Sequence, residues 1–190
     1  MVACTPSEKK AVAASRFVDQ ATAAVVRAII RQDSLALSSN SHRSKPIASL
    51  LQPIHFIRPT SEGAPPPPVR AFAVSLHQLL SYKYHRQHFF PRSDSLFLLH
   101  QAQQQQEVLL ETMVLTPGDL LPASQLGRKG KTADPAGFYR FSQPLFSRDS
   151  LRAYVCLNHT CFSCGSEYAL FLERSKGNWQ VVDRALRSIQ

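Results

Sequence analysis

Between Leu151 and Leu157 apolar side chains alternate from one face to the other, with Ala153, Val155 and Leu157 on one side and Tyr154 and Cys156 on the other. That period of two suits an extended strand and no other regular structure. Three neighbouring segments repeat the signal: Phe138 to Ser142, Tyr168 to Glu173, and Trp179 to Asp183 with Trp179 and Val181 on one face. Lys176-Gly177-Asn178 between the last two is a hairpin turn, and Phe146-Ser147-Arg148-Asp149 is a second turn. The pattern predicts an antiparallel meander of three or four strands in the last third of the chain. Such a sheet has a greasy face that must be covered.

The first third supplies the cover. From Ser7 to about Asp33, Phe17, Ala21, Ala24, Val25 and Ala28 recur at three- and four-residue spacing, and Val18 and Ile29 widen the stripe. Thr5-Pro6-Ser7-Glu8 fits a capping box at its start. Its polar side is not strongly basic, so a core-packing helix fits better than a membrane-surface one. The expected fold class is α+β: a long N-terminal helix packed on a C-terminal antiparallel meander, in the manner of a curved-sheet cone.

The middle of the chain reads less clearly. Residues 34–45 form a Ser- and Asn-rich loop, followed by a short helical turn near Ala48 to Leu51. Residues 59–68, with four consecutive prolines, make a stiff extended excursion. A strand is expected at Val69 to Val74 and a helix from Ser75 to about Gln87, with Leu76, Leu79, Leu80 and Tyr84 in register. His85 and His88 would then share a helical face, but no third ligand is placed to complete a metal site. Ser95 to His100 reads as a strand, Gln101 to Gln106 as its continuation or a short helix, and Val108 to Leu115 as a further β-capable run. Thr116-Pro117-Gly118-Asp119 is a turn and residues 122–137 a loop. Residues 7–190 make one domain, with residues 1–6 as the remnant of a lipoprotein signal and anchor.

A strand order with particular residues in it supports a resemblance. Ser142-Gln143-Pro144-Leu145-Phe146-Ser147 is followed by Ala153-Tyr154-Val155, then Cys161, Cys164-Gly165, Leu170 and Gly177-Asn178-Trp179-Gln180-Val181. This resembles a group of small bacterial secreted proteins and lipoproteins of no known activity, over about the last 50 residues. The closing Gly-x-Trp strand is also similar to that of nuclear-transport-factor-like curved sheets. Ser166, where a second glycine is usual, and the extra Cys156 depart from the group. The resemblance implies compartment and fold, and no catalytic residue.

Cys156, Cys161 and Cys164 fall within nine residues. In an oxidising compartment one pair would form a disulfide pinning the loop. A second reading is thiol redox chemistry at Cys161-Phe162-Ser163-Cys164, although a pair between two strands lacks the helix N-terminus that usually stabilises a thiolate. A third is zinc held by Cys156, His159, Cys161 and Cys164, which one hairpin would hardly arrange as a tetrahedron. Met1-Val2-Ala3-Cys4 resembles the end of a lipoprotein signal, which makes Cys4 the candidate lipidation site.

The formal net charge of +9 favours acidic partners. Its one tight cluster, Arg128-Lys129-Gly130-Lys131, makes Arg128, Lys129 and Lys131 the candidate anion-binding residues. No aromatic residues interleave there, so nucleic acid is a poor fit. No run of about 20 apolar residues is present, and membrane contact is expected only through a lipid on Cys4. Nucleophile elbows, phosphate-cradling loops and His-Glu-x-x-His are missing, and no cofactor or metal is called for. The expected function is a non-enzymatic binding or assembly module of the bacterial cell envelope, periplasmic or lipid-anchored, with an envelope protein or an anionic surface as partner. The alternatives are a thiol-disulfide redox protein using Cys161 and Cys164, or a cytosolic binder of an anionic partner through residues 128–131.

Overall fold

A computed structural model describes residues 20–32, 35, 45–57, 72–110, 120–121, 137–160 and 165–189. Its centre is the expected meander. Strands β11 (Arg152–Thr160), β12 (Gly165–Ser175) and β13 (Asn178–Ile189) pair antiparallel in chain order, and β9 (Phe138–Phe141) pairs antiparallel on the other side of β11. Short strands β1 (Ile47–Ala48) and β8 (Leu120–Leu121) extend this sheet beyond β9 in parallel, and β10 (Leu145–Phe146) pairs with the start of β11. The β12–β13 turn has positive φ at Lys176 (50°) and Gly177 (83°). That is the backbone of a two-residue primed turn, which matches the twist of the strands it joins and which glycine adopts freely.

The alternation read from the sequence becomes two cores. Ala153, Val155 and Leu157 face one way with Leu170, Leu172 and Trp179, while Tyr154 and Cys156 face the other with Ala169 and Phe171. Helix α1, described over 20–32, covers the first face with Val25, Val26, Ile29 and Ile30, and Ala24 and Ala28 pack beside them. Each fully buried valine or isoleucine contributes roughly 1.5–3 kcal/mol. The expected extension of this helix back to Ser7, with Phe17 and Val18, lies outside the described residues, as does the proline excursion at 59–68.

The second face is covered by segments read differently from sequence. Ser95–Gln104 is helix α3 rather than a strand, introduced by a 3₁₀ turn at Arg92–Asp94. Leu98 is buried and Ala102, one turn on, packs in the same core. A short apolar run cannot by itself distinguish strand from helix. The expected helix over 75–87 stops early: α2 is Leu76–Ser81, started by Ser75, whose hydroxyl accepts from the Gln78 N–H. Strands β5 (Lys83–Tyr84) and β6 (Gln87–His88) then form a hairpin through His85 (φ 49°) and Arg86 (φ 67°). Neither turn residue is the Gly or Asn such a turn favours, so the sequence carried no hairpin signal. His85 and His88 therefore share no helical face. Near Ala48 to Leu51 the chain forms β1 and β2 (Leu50–Leu51), the latter paired with β7 (Val108–Leu109), instead of a helical turn. The run expected to end as a strand at Val74 supplies β4 (Ala73–Val74), which pairs in parallel with β3 (His55–Phe56).

Glutamine side chains finish the strand edges. Gln32 receives the Val181 N–H (2.8 Å) and donates to its carbonyl (2.7 Å), covering the outer side of β13. Gln101 does the same for Phe146 on β10, at 3.0 and 2.8 Å. Gln105 accepts from the Ile54 N–H and donates to the Pro144 carbonyl. A side-chain amide carries the same donor and acceptor pair as a peptide, so it can end a ladder without leaving a strand edge open. Within the glutamine-rich stretch Gln101 thus caps a strand edge from α3, and Gln105, just past the helix, joins the Ile54 and Pro144 segments.

Candidate functional site

Of the expected site residues only Cys156 is described; Cys4, Arg128, Lys129, Lys131, Cys161 and Cys164 lie outside the described residues. The flanks of the Cys161-Phe162-Ser163-Cys164 segment are described. It joins the end of β11 to the start of β12, where Thr160 pairs with Gly165, so both of its neighbours are strands.

Cys156 is a free thiol with none of its surface exposed, on the second face of β11. Tyr154, two residues earlier on the same face, places its hydroxyl 3.2 Å from the sulfur. The Arg187 Nη1 donates to the sulfur at 3.3 Å and also to the Glu167 carboxylate, while Nη2 donates to the Ala73 carbonyl. The Cys156 N–H is held by the Ser142 hydroxyl at 2.8 Å. One guanidinium thus ties β13, β12 and β11 to β4.

Arg187 arrives there through an irregularity. Between Tyr168↔Leu186 and Glu167↔Ser188 the register skips one residue, and that unpaired residue is Arg187. A bulge of this kind re-aims its extra residue, and here it sends the arginine to the face of Cys156. A second skip leaves Val182 unpaired between Asp183 and Val181. Together the two skips also bend the strand pair.

Electrostatics make this a holding arrangement. Burial pushes the Cys156 thiol up to about 11, against the opposing pull of Arg187 and Tyr154, so it stays protonated at neutral pH. Burial likewise raises the Tyr154 phenol well above its usual range. Glu167, 9% exposed, is neutralised by Arg187. A buried thiol in its protonated form is a poor nucleophile.

Nearby, Arg140 lies on the same face of β9, opposite Asn158, which in turn pairs with Glu167. Its guanidinium stands 6.0 Å from the Phe72 ring centroid, and its buried Nε has no hydrogen-bond partner among the described residues. Burial lowers its pKa, with Glu107 acting against that shift.

His159, a member of the zinc alternative, faces the other side of the sheet, where Lys45 Nζ lies 3.0 Å from its Nε2. Among the described residues no three His, Cys, Asp or Glu side chains are grouped to hold a metal ion. No described helix is long and apolar enough to cross a membrane.

Sequence reasoning missed Arg187 because it ended the last strand at Asp183, and Glu167 because it began the preceding strand at Tyr168. The skip at Arg187 breaks the period of two beyond Asp183, and with it the signal that would have continued the last strand. The chain matches no known family model, no curated protein and no solved structure.

Proposed function

We propose that this chain is a non-enzymatic binding or assembly module of the bacterial cell envelope, built as a bent sheet roofed by a long N-terminal helix. The observation that carries the reading is the setting of Cys156: sealed from solvent and hydrogen-bonded into a network that joins three strands. Five of the six described carboxylates are similarly engaged in structure. Glu167 pairs with Arg187, Glu173 with Arg152, Asp183 accepts from Tyr82, Asp149 from Ser147, and Asp94 from the Arg148 N–H. Glu107 is exposed and its charge acts on Arg140. A general acid or base needs a carboxyl free to reach a substrate.

The envelope part of the proposal rests on sequence: Met1-Val2-Ala3-Cys4, and the resemblance to secreted proteins and lipoproteins that runs from Ser142 to Val181. The thiol-disulfide alternative places the reactive pair between two strands, without the helix N-terminus that lowers a thiol pKa in such enzymes.

Reduction of insulin by dithiothreitol, with and without the protein, tests the reading. No acceleration is expected. Acceleration that disappears in Cys161→Ser or Cys164→Ser would establish the redox alternative in its place.

A further inference from the structure

Two arginines on the second face of the sheet hold a carboxylate, and a third does not. Arg187 pairs with Glu167. Arg152 stands 5.9 Å from the Phe89 ring centroid, with its Nε 3.7 Å from the carboxylate of Glu173, its direct neighbour across the strands. Arg140 repeats that second arrangement with one part changed. Its guanidinium stands 6.0 Å from the Phe72 ring centroid, and its direct neighbour on β11 is Asn158, an amide where Arg152 faces an acid. Directly paired residues have Cβ atoms about 5 Å apart on one face, so the two side chains stand together.

Among the described residues nothing takes the place of that acid. Arg140 has no ion pair there, and its sealed Nε has no hydrogen-bond partner. Its Nη groups are not sealed, so they are the ones a ligand can meet. The Asn158 carbonyl oxygen accepts from the Thr160 hydroxyl at 2.6 Å, which leaves its amide hydrogens beside the guanidinium. Glu167, next in the row, is taken by Arg187, and the exposed Glu107 acts on Arg140 through its charge alone. The ring beneath is held in a strained backbone: Phe72 is buried with φ 59°, a conformation that a bulky residue seldom adopts. Its carbonyl accepts from the His55 N–H at 3.1 Å, and the next carbonyl, that of Ala73, accepts from Arg187. Strain of this kind gathers where a fold fixes a binding group in place.

We infer that Arg140 and Asn158 bind the carboxylate of a ligand, the guanidinium offering its Nη groups to the two oxygens and the amide a further donor. A planar guanidinium matches the fork of a carboxylate. Charge decides against a phosphate monoester. Arg187 and Glu167 cancel within the row, so one positive charge is left to neutralise, and Glu107 opposes any further negative charge. A carboxylate brings one charge, whereas a phosphate monoester brings close to two. The inference gives the binding module proposed above a ligand class and rests on that reading, though not on its place in the envelope.

Titration of the full chain with acetate, followed by backbone amide NMR against chloride at matched ionic strength, tests it. Saturable shifts at Arg140 and Asn158 are expected with acetate and not with chloride. Arg140→Gln should weaken binding about tenfold, the effect of losing a hydrogen bond between charged groups. Glu107→Gln should tighten it about twofold, because a like charge near the surface is removed. Asn158→Asp keeps the side-chain shape and supplies the carboxylate from the chain itself. It should abolish acetate binding, with circular dichroism and melting showing an intact fold. Acetyl-trialanine, charged only at its C-terminal carboxylate, separates a peptide end from a free acid: whichever of it and acetate binds more tightly names the source, and either result upholds the site. Shifts equal to those with chloride overturn the inference. So does the absence of saturation, acetate binding that survives Asn158→Asp, or tighter binding of inorganic phosphate than of acetate. Insulin turnover, by contrast, would sink the non-enzymatic reading and leave this site as it is.

Discussion

Replacing Gln101 by alanine removes the amide that satisfies both polar groups of Phe146, its N–H at 3.0 Å and its carbonyl at 2.8 Å. A buried group left without a partner costs about 1–3 kcal/mol. Both Gln101 and Phe146 are partly buried, so water reaches the site and lowers each cost. The expected destabilisation is about 2–4 kcal/mol for the two bonds together. The better helix propensity of alanine returns only a few tenths. Gln103 is on the same helix but exposed, and its replacement by alanine should stay within about 0.5 kcal/mol of wild type. Urea denaturation of the two variants gives the comparison directly, at unchanged denaturant slope. In a melt, Gln101→Ala should lose roughly 4–16 °C, taking 2–4 °C per kcal/mol for a chain of this size. Gln101→Glu should fall between, because a carboxylate still accepts from the Phe146 N–H but sets an oxygen against the carbonyl. Equal stability of Gln101→Ala and Gln103→Ala would refute the account of these glutamines as edge caps.

The buried thiol makes stability depend on alkaline pH. A folded pKa raised from the ordinary 9.0 to about 11 favours the neutral form. The contribution of Cys156 is therefore complete below pH 9 and lost as pH climbs through 11, a total of roughly 2–3 kcal/mol. Tyr82 and Tyr154, also raised, act in the same direction, so the difference between wild type and Cys156→Val across that window isolates the thiol. A difference that does not vary with pH would contradict a buried, protonated Cys156. At Arg187, replacement by methionine leaves the Glu167 carboxylate buried without its partner and should cost about 3–5 kcal/mol. Adding Glu167→Gln should recover part of that loss, and additive losses in a double-mutant cycle would show that the pair does not interact.

The legible parts of this fold were those where one local rule applied without interruption. Ala153, Val155 and Leu157 against Tyr154 and Cys156 divided onto two faces as their alternation required, because a strand has only two faces and both happened to be buried. The stripe of Ala24, Val25, Ala28 and Ile29 found its place on the first face for the same reason. Sequence also identified Cys156 as one member of a cluster, but not the environment that decides its chemistry. That environment comes from Glu167 and Arg187, which pack against it from neighbouring strands, and from Ala73, which is separated from Arg187 by more than half the chain. The Ser95–Gln104 helix was hidden for a different reason. Its apolar residues are too few to show a period, and its stability comes from Leu98 in the second core and from glutamine bonds to other elements.

The order of polar and apolar residues in β11, β12 and β13 was enough to specify an antiparallel sheet with two distinct faces and a helix for one of them, because period and turn chemistry act between near neighbours. What lies on the second face, which strand edges are closed by glutamine, and why Cys156 is held as a neutral thiol were settled only in three dimensions. Those outcomes depend on a one-residue skip that turns Arg187 inward and on contacts between distant segments. Neither leaves a repeating mark along the chain.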